Sequence, residues 1–341
     1  MEDTSSKGLE ICWFCTYTPV ELLEAAGVAH RRLAGLPERA EEADSYLHPS
    51  MCPYVKACLA EGLRLPEGRR HAIFVNACDA MRRLHDAWSE LFPGSFVHLV
   101  DLPRGNSPWE VDILAGELRH LAGRIEEYFG RQVTGEALLR AAQAREEKRA
   151  IYLRRAATLP PGERAALSLE LQSSLRELPA LDGHASPSRG IPVAVVGNVL
   201  NPRGILDQLE RAGARVVLLD TCNGDRPFLV PLEIGTVEGD PFRRMAAGYL
   251  GRPHCGRMQD VEGRWAFLLE RLDESGAAGV IFATLKFCDP YIYEYPLLER
   301  FLEERGIKAL RLESEYLDAH AGQVSTRVEA FLEMISADRG R

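Results

Sequence analysis

Three of the eight cysteines stand just past segments that predict buried β-strands. Cys78 ends the run AIFVNAC, Cys222 follows RVVLLD by one residue, and Cys288 comes four residues after AGVIFAT. Open parallel sheets bind ligands in the crevice outside the carboxyl ends of their strands, so we expect these thiols to lie at such a crevice. Thiolates gathered there are suitable ligands for soft metals.

The spacing of the cysteines excludes the small self-contained metal modules. The sequence contains no closely spaced ferredoxin run and no paired CxxC sites at zinc-finger spacing. Disulfides are not expected in a reducing compartment, which leaves metal or redox chemistry as the leading explanation for eight cysteines. Thiolates brought together from distant loops suit an iron–sulfur cluster better than magnesium or calcium, which prefer oxygen ligands.

Two further cysteine segments allow more than one interpretation. Cys12 and Cys15 have redox-motif spacing, but no strand–helix unit is predicted around them, so we expect them to pack against or line the same crevice. Cys255 follows His254, and this pair is either a mixed metal site or, for the histidine, a surface or supporting group.

The pattern of apolar runs predicts an α/β protein of two doubly wound Rossmann-like domains with parallel sheets and a helical insertion. The apolar pattern changes from that of a strand to that of a helix near residues 72–88 and again after residue 191, which supports two parallel sheets. A helix is also predicted over 19–34, and another over 296–306. We place an N-terminal α/β domain at 1–106, a helical cap or bridge at 107–182 and a C-terminal Rossmann-like domain at 183–341. The predicted linker is GHASPSRGIP, residues 183–192.

Charge and composition exclude several classes of function. A formal net charge of −9 disfavours a nucleic-acid binder, which needs basic surface. The longest nearly unbroken apolar stretch, at 191–200, is about half of the roughly 20 residues that span a membrane. No signal peptide is apparent, so a cytoplasmic location is expected. The segment PVAVVGNVLNP lacks G-x-G-x-x-G and a Walker lysine, and neither NAD nor ATP is predicted on this chain.

Seven segments, spread in order over nearly the whole chain, resemble the 2-hydroxyacyl-CoA dehydratase and benzoyl-CoA reductase family, specifically its smaller, D-component type of cluster-binding subunit. The segments are FCTYTPVELLEAAGV (14–28), CPYVKAC (52–58), FVNACDAMRRLHDAW (74–88), DTCNGDRPF (220–228), RPHCGRM (252–258), LKFCDPYIYEYP (285–296) and QVSTRVEAFLEMI (323–335).

The resemblance implies an oxygen-sensitive hydro-lyase subunit with a [4Fe–4S] cluster on three cysteines. Carried over by motif, the ligands are Cys52, Cys78 and Cys288, with Cys58 a less favoured alternative to Cys52, whose CPY context matches better. It further implies a homologous second subunit, an acyl-CoA substrate and an ATP-dependent activator that delivers one electron for radical elimination of water. Three ligands would leave one iron open to the thioester carbonyl or to water.

Other functions remain open. Cys222 and Cys255 lie in shared motifs but exceed the three ligands required, and they are less favoured as metal ligands. They would instead fit a larger double-cubane cluster, as in related homodimeric reductases of small molecules. A benzoyl-CoA-reductase-type subunit, a non-catalytic cluster carrier and a metal-free protein with buried cysteines are further alternatives. The sequence does not separate a subunit that binds substrate from one that only relays electrons.

Overall fold

Two four-stranded sheets, both entirely parallel, organise the chain in this computed structural model. The structure describes residues 9–174, 190–201, 204–232, 239–252, 255–317 and 321–339. The first sheet has the order β2-β1-β3-β4 and the second the order β6-β5-β7-β8. The strands are β1 (Ile11–Trp13), β2 (His30–Arg32), β3 (His71–Val75), β4 (Val97–Val100), β5 (Ile191–Gly197), β6 (Ala214–Asp220), β7 (Val280–Leu285) and β8 (Ala309–Ser314). This architecture confirms the predicted α/β fold class.

Helices connect the strands and cover both sheets. They are α1 (Val20–Ala25), α2 (Pro53–Gly62), α3 (Asp79–Leu91), α4 (Pro108–Phe129), α5 (Gly135–Ala156), α6 (Pro161–Gln172), α7 (Ile205–Arg211), α8 (Pro241–Leu250), α9 (Val261–Ser275), α10 (Asp289–Glu303) and α11 (Ala321–Arg339). Among the described residues, no helix is both long and apolar enough to cross a bilayer.

The central strands are buried on both faces, which is why they appear in the sequence as unbroken apolar runs. In β5, Val193 and Val195 pack into one apolar cluster, whereas Ala194 and Val196 pack into a second cluster on the opposite face. Side chains alternate between the two faces of a strand, so each sheet needs a layer of helices on either side. Strands held in this way fix the positions of the loops at their carboxyl ends.

The helical segment α4–α6 lies between the two sheets in sequence and contacts both. Leu114 and Leu121 of α4 pack with the first sheet, and Ala165 of α6 packs with the second. The start of α4 is stabilised by a capping box in which Ser107 and Glu110 bond each other's backbone N–H groups. The proposed domain boundaries stay a prediction, and most of the predicted linker, residues 183–189, lies outside the described residues.

The helix predicted over 19–34 is wrong in its second half. It ends at Ala25, Gly27 adopts a left-handed φ of 65°, and residues 30–32 form β2. This strand carries His30 and Arg32, which are buried polar residues, so its apolar pattern is absent. The start of the helix predicted over 296–306 is also wrong, because this helix, α10, begins at Asp289.

Candidate functional site

Three of the predicted ligand cysteines occupy the same structural position, the residue that precedes the first turn of a helix. Cys52 caps α2, Cys78 caps α3 and Cys288 caps α10. Cys78 and Cys288 reach this position because β3 and β7 end three residues before them and the chain turns directly into a helix. All three are partly buried and pack against one apolar cluster.

The position at a helix start places each sulfur near backbone N–H groups, although none of the three thiols makes a capping hydrogen bond. N–H groups of the first turn lower the pKa of these thiols, while burial acts in the opposite direction and raises it more. The unpaired N–H groups at a helix N-terminus favour negative charge, which a thiolate or a metal–sulfur cluster carries. The N–H groups belong to Tyr54 and Val55 for Cys52, to Ala80 and Met81 for Cys78, and to Tyr291 for Cys288.

Electrostatic interactions connect these three thiols, whose role as ligands stays a prediction. Burial raises the pKa of Cys52 to about 12, and the neighbouring Cys78 thiol adds to the rise. The pKa of Cys288 is raised first by burial and then by both Cys52 and Cys78. Each thiol is therefore an electrostatic neighbour of the other two, although they come from distant parts of the chain.

A second group of thiols adjoins the first. Burial raises the pKa of Cys15 to about 12, and Cys255 and Cys222 raise it further. The pKa of Cys255 is raised by burial and then by Cys222, and Cys255 in turn raises that of Cys78. The electrostatic interaction of Cys78 with Cys255 thus joins two groups of three thiols. The first group is Cys52, Cys78 and Cys288, and the second is Cys15, Cys222 and Cys255. We call the region between the strand ends that holds all six the thiol crevice.

Two arginines tie the loops of one sheet to the strand ends of the other. Arg32 of β2 donates to the Cys222 carbonyl at 2.6 Å and to the Phe14 carbonyl at 3.1 Å. Arg257, two residues after Cys255, donates at 2.8 Å to the carbonyl of Asn76, which directly follows β3. These bonds hold the Cys222 and Cys255 loops against the first sheet, where Cys15 and Cys78 lie.

Arg226 supplies positive charge inside the thiol crevice. Its guanidinium is buried and donates to the Asp220 carboxylate at 2.8 Å and to the Tyr291 hydroxyl at 2.6 Å. One nitrogen lies 3.5 Å from the Cys222 sulfur. A fixed cation at this distance stabilises anionic sulfur in a site that excludes water.

Tyr17, near the second group of thiols, and Arg252, which neighbours Tyr17 and lies over the Tyr249 ring, are buried polar residues whose side-chain polar atoms have no hydrogen-bond partner in the described part of the chain. Among the described residues, the Tyr17 hydroxyl and all three guanidinium nitrogens of Arg252 are buried and make no hydrogen bond. Cys255 and Cys15 raise the pKa of Tyr17 after burial does, which places its hydroxyl near them. Buried donors are normally satisfied, so these two point to an anionic or acceptor group that the protein atoms do not supply.

Cys12 and Cys58 are fully buried, and of the two only Cys58 is an electrostatic neighbour of a crevice thiol, that of Cys52. Cys12 is fully buried in β1, where its thiol donates to the Arg69 carbonyl at 3.3 Å. Cys58 is fully buried inside α2, away from the helix start that Cys52 occupies. The CxxC motif begins within β1 and ends before α1; the sequence pattern predicted the helix but not the strand, and only Cys15 reaches the crevice. His254 lies outside the described residues, so the mixed His254–Cys255 site remains untested.

The turn into α10 holds Cys288 at a conformational cost. Phe287, the residue before it, has a φ of 59°, in the left-handed region that disfavours non-glycine residues by about 1–2 kcal/mol. Strain of this kind persists where the surrounding structure imposes it, often at functional sites. Here it reverses the chain between β7 and α10 so that the Cys288 thiol stands at the helix start.

Close packing of β5 against β7 sets the floor of the thiol crevice. A Cβ atom at Gly197 would lie 1.8 Å from the Ala283 carbonyl oxygen, so only glycine fits at this strand end. The next residue, Asn198, donates to Thr284 at 3.4 Å, and its side chain lowers the pKa of the Cys288 thiol.

We expect Gly197→Ala to destabilise the protein by about 1–3 kcal/mol and to lower its bound metal, because the ends of β5 and β7 must separate. Urea unfolding and iron analysis measure the two effects. Gly123→Ala is the matched control, since its Cβ would meet no atom within 4 Å and should stabilise α4 by about 0.5–1 kcal/mol. Equal stability of Gly197→Ala and the native chain would contradict the close contact.

The contribution of three buried arginines, Arg32, Arg226 and Arg252, was not predicted from the sequence. Arg226 was visible in the segment DTCNGDRPF beside Cys222, and Arg252 in RPHCGRM beside Cys255, so both stood within recognised segments. Arg32 carried no such signal, because its role depends on a contact with a residue 190 positions away.

The fold and the crevice define a protein of two parallel α/β sheets with thiols converging at the strand ends. A family profile described as 2-hydroxyglutaryl-CoA dehydratase, D-component, matches residues 15–335, and the chain belongs to this family. This finding confirms the resemblance carried by the seven segments.

Curated relatives span almost the full chain. The beta subunit of lactoyl-CoA dehydratase from Anaerotignum propionicum is 25% identical, over 94% of this chain and 90% of that protein. The (R)-phenyllactyl-CoA dehydratase beta subunit of Clostridium sporogenes is 24% identical, over 98% and 93%. A benzoyl-CoA reductase subunit from Thauera aromatica is 25% identical, over 84% and 81%. This chain is therefore similar to subunits of both dehydratases and a reductase.

Proposed function

We propose that this chain is the iron–sulfur subunit of an anaerobic 2-hydroxyacyl-CoA dehydratase and holds a [4Fe–4S] cluster with Cys52, Cys78 and Cys288. The observation that supports the proposal most directly is the convergence of these thiols at three helix N-termini. The family match and the two dehydratase beta subunits among the relatives favour dehydration as the reaction.

The donor set fits such a group chemically. Three thiolates satisfy three irons of a four-iron cluster, and the N–H groups around the sulfurs offset its negative charge. When bound, the cluster would supply a low-potential electron and an iron position open to a thioester carbonyl.

The protein's own residues would keep the site dry, charged and positioned. Asn198 lowers the pKa of the Cys288 thiol, and Arg226 places a buried cation beside Cys222. Both interactions strengthen where water is excluded. We assign these residues positioning roles and propose no proton transfer through them.

A homologous second subunit is part of the proposal, and apolar side chains exposed near Cys288 fit it. Phe287 is 47% exposed, and Tyr293 and Leu297, one turn apart on α10, are 78% and 52% exposed. Aromatic and large aliphatic side chains are typical of the central part of protein interfaces.

A second candidate is a reductase with a double-cubane cluster. The second group of thiols, Cys15, Cys222 and Cys255, favours it because it adjoins the first group through Cys78. The unpartnered Tyr17 hydroxyl near this group, and the Arg252 guanidinium that neighbours Tyr17, would suit additional sulfide. In that case all six thiols, rather than three, would be ligands.

Anaerobic purification of the chain with the proteins encoded beside it, followed by iron and sulfide analysis, separates the candidates. The dehydratase proposal expects about four iron per chain, and the double-cubane alternative about eight. The same preparation, given ATP and an activator, should dehydrate a 2-hydroxyacyl-CoA. Turnover of an aryl-CoA instead would indicate a benzoyl-CoA-reductase-type subunit, and a preparation without iron would contradict both cluster proposals.

A further inference from the structure

Two histidines and a glutamate meet between β4 and α4, on elements that supply none of the crevice cysteines. His98 Nε2 lies 2.9 Å from Glu117 Oε1, and His120 Nδ1 lies 3.8 Å from Glu117 Oε2. One ligand atom from each of the three residues lies within 4.8 Å of the other two. No step of the proposed dehydratase chemistry uses this group.

The spacing matches a metal coordination shell. Ligand atoms about 2.0–2.1 Å from a tetrahedral zinc are about 3.3 Å apart. His98 lies 2.9 Å from Oε1 of Glu117 and His120 lies 3.8 Å from Oε2, so the carboxylate would bind an ion through one oxygen or both. We propose that His98, Glu117 and His120 bind a divalent transition-metal ion of the zinc class. Two imidazoles and one carboxylate are unsuited to magnesium or calcium, which prefer oxygen ligands throughout.

The supporting structure holds the ligands in place. Glu117 and His120 are three residues apart and project from the same face of α4, whose start is capped. The backbone of Asp101 helps to lower the pKa of the Glu117 carboxyl, and the His98 ring stacks on Phe96. Such outer contacts orient ligands in metal sites.

The charge and exposure of the group also suit a cation. The Glu117 carboxylate lies between the two imidazoles, and its side chain is only 19% exposed. Arg119, the cation next to His120 in sequence, is paired with Asp240. The His98 side chain is buried and that of His120 is 61% exposed, which gives the ion a route from solvent and an open fourth position.

Zinc binding to the iron-loaded, anaerobically purified protein tests the proposal, because its crevice thiols are then engaged. We expect one zinc per chain, with only nitrogen and oxygen neighbours at about 2.0–2.1 Å in zinc-edge X-ray absorption. Glu117→Gln keeps a hydrogen-bonding group beside His98 but should weaken binding by more than about tenfold in chelator competition. His120→Ala should do the same.

His85→Ala is the matched control, because His85 also lies beside a carboxylate, that of Asp86, but has no third ligand. It should bind zinc as the native chain does. Sulfur in the zinc shell would overturn the proposal by moving the metal to cysteines. Native affinity in both Glu117→Gln and His120→Ala would overturn it by leaving only a hydrogen-bonded pair. Neither result would bear on the iron content by which the dehydratase proposal is judged.

Discussion

Cys78→Ala and Cys288→Ala are each expected to purify anaerobically with well under half of the iron of the native chain. Each substitution removes one of three thiolates and leaves a cluster site that a lone water must complete. Cys52→Ala should behave in the same way. Iron and acid-labile sulfide per chain, measured with the visible absorption of the cluster, give the result.

The two cysteines outside the thiol crevice provide the controls. Cys12→Ala and Cys58→Ala remove fully buried thiols and should cost stability, but their iron content should stay near the native value. A large loss in Cys58→Ala together with native iron in Cys52→Ala would transfer the ligand role to Cys58. Native iron in both Cys78→Ala and Cys288→Ala would refute the proposed ligand set.

Asp225→Ala is expected to destabilise the protein by about 3–5 kcal/mol, since it leaves a buried arginine without its counter-charge. Arg164 of α6 forms a bidentate pair with Asp225, and the Tyr152 hydroxyl donates to the same carboxylate at 2.6 Å. The Leu219 N–H of β6 donates to it at 2.7 Å. This carboxylate therefore joins the helical segment to the loop that carries Cys222. Urea unfolding monitored by circular dichroism measures the loss.

An exposed ion pair is the appropriate comparison. Asp112 pairs with Arg243 at 2.6 Å while both side chains are more than half exposed, so Asp112→Ala should cost less than about 1 kcal/mol. Arg164→Met combined with Asp225→Ala should recover part of the stability, because no unpaired charge stays buried. If Asp225→Ala lowered the free energy of unfolding no more than Asp112→Ala does, the buried Arg164–Asp225 pair would not stabilise the contact between the helical segment and the Cys222 loop.

The central strands and the positions of Cys78 and Cys288 were predictable because each depends on local sequence, whereas the ligand set stays a prediction that rests on the family segments. β3, β5 and β7 are buried on both faces and appear as apolar runs, and the position of a cysteine just past such a run places it at the sheet's carboxyl edge. The family segments then separated Cys52 from Cys58, two thiols that the pattern of residues alone left equivalent.

The strands β1 and β2 and the second group of thiols were not predictable, because they depend on contacts between distant residues. β1 and β2 are only three residues long, and β2 consists of His30, Arg31 and Arg32, which no apolar pattern marks as a strand. Cys15 joins Cys222 and Cys255 because loops more than 200 residues apart are held together by Arg32 and Arg257. A short polar strand and a long-range cation–carbonyl bond leave no periodic signal in sequence.

Those two arginines also restrict how a substrate can enter. Arg32 and Arg257 bond carbonyls on opposite walls of the thiol crevice, so swinging the two sheets apart would break buried bonds to charged groups. Clamshell opening, the usual motion of two-lobed binding proteins, is thus costly for this chain. A molecule that enters the thiol crevice would therefore have to do so with the bonds of both arginines intact.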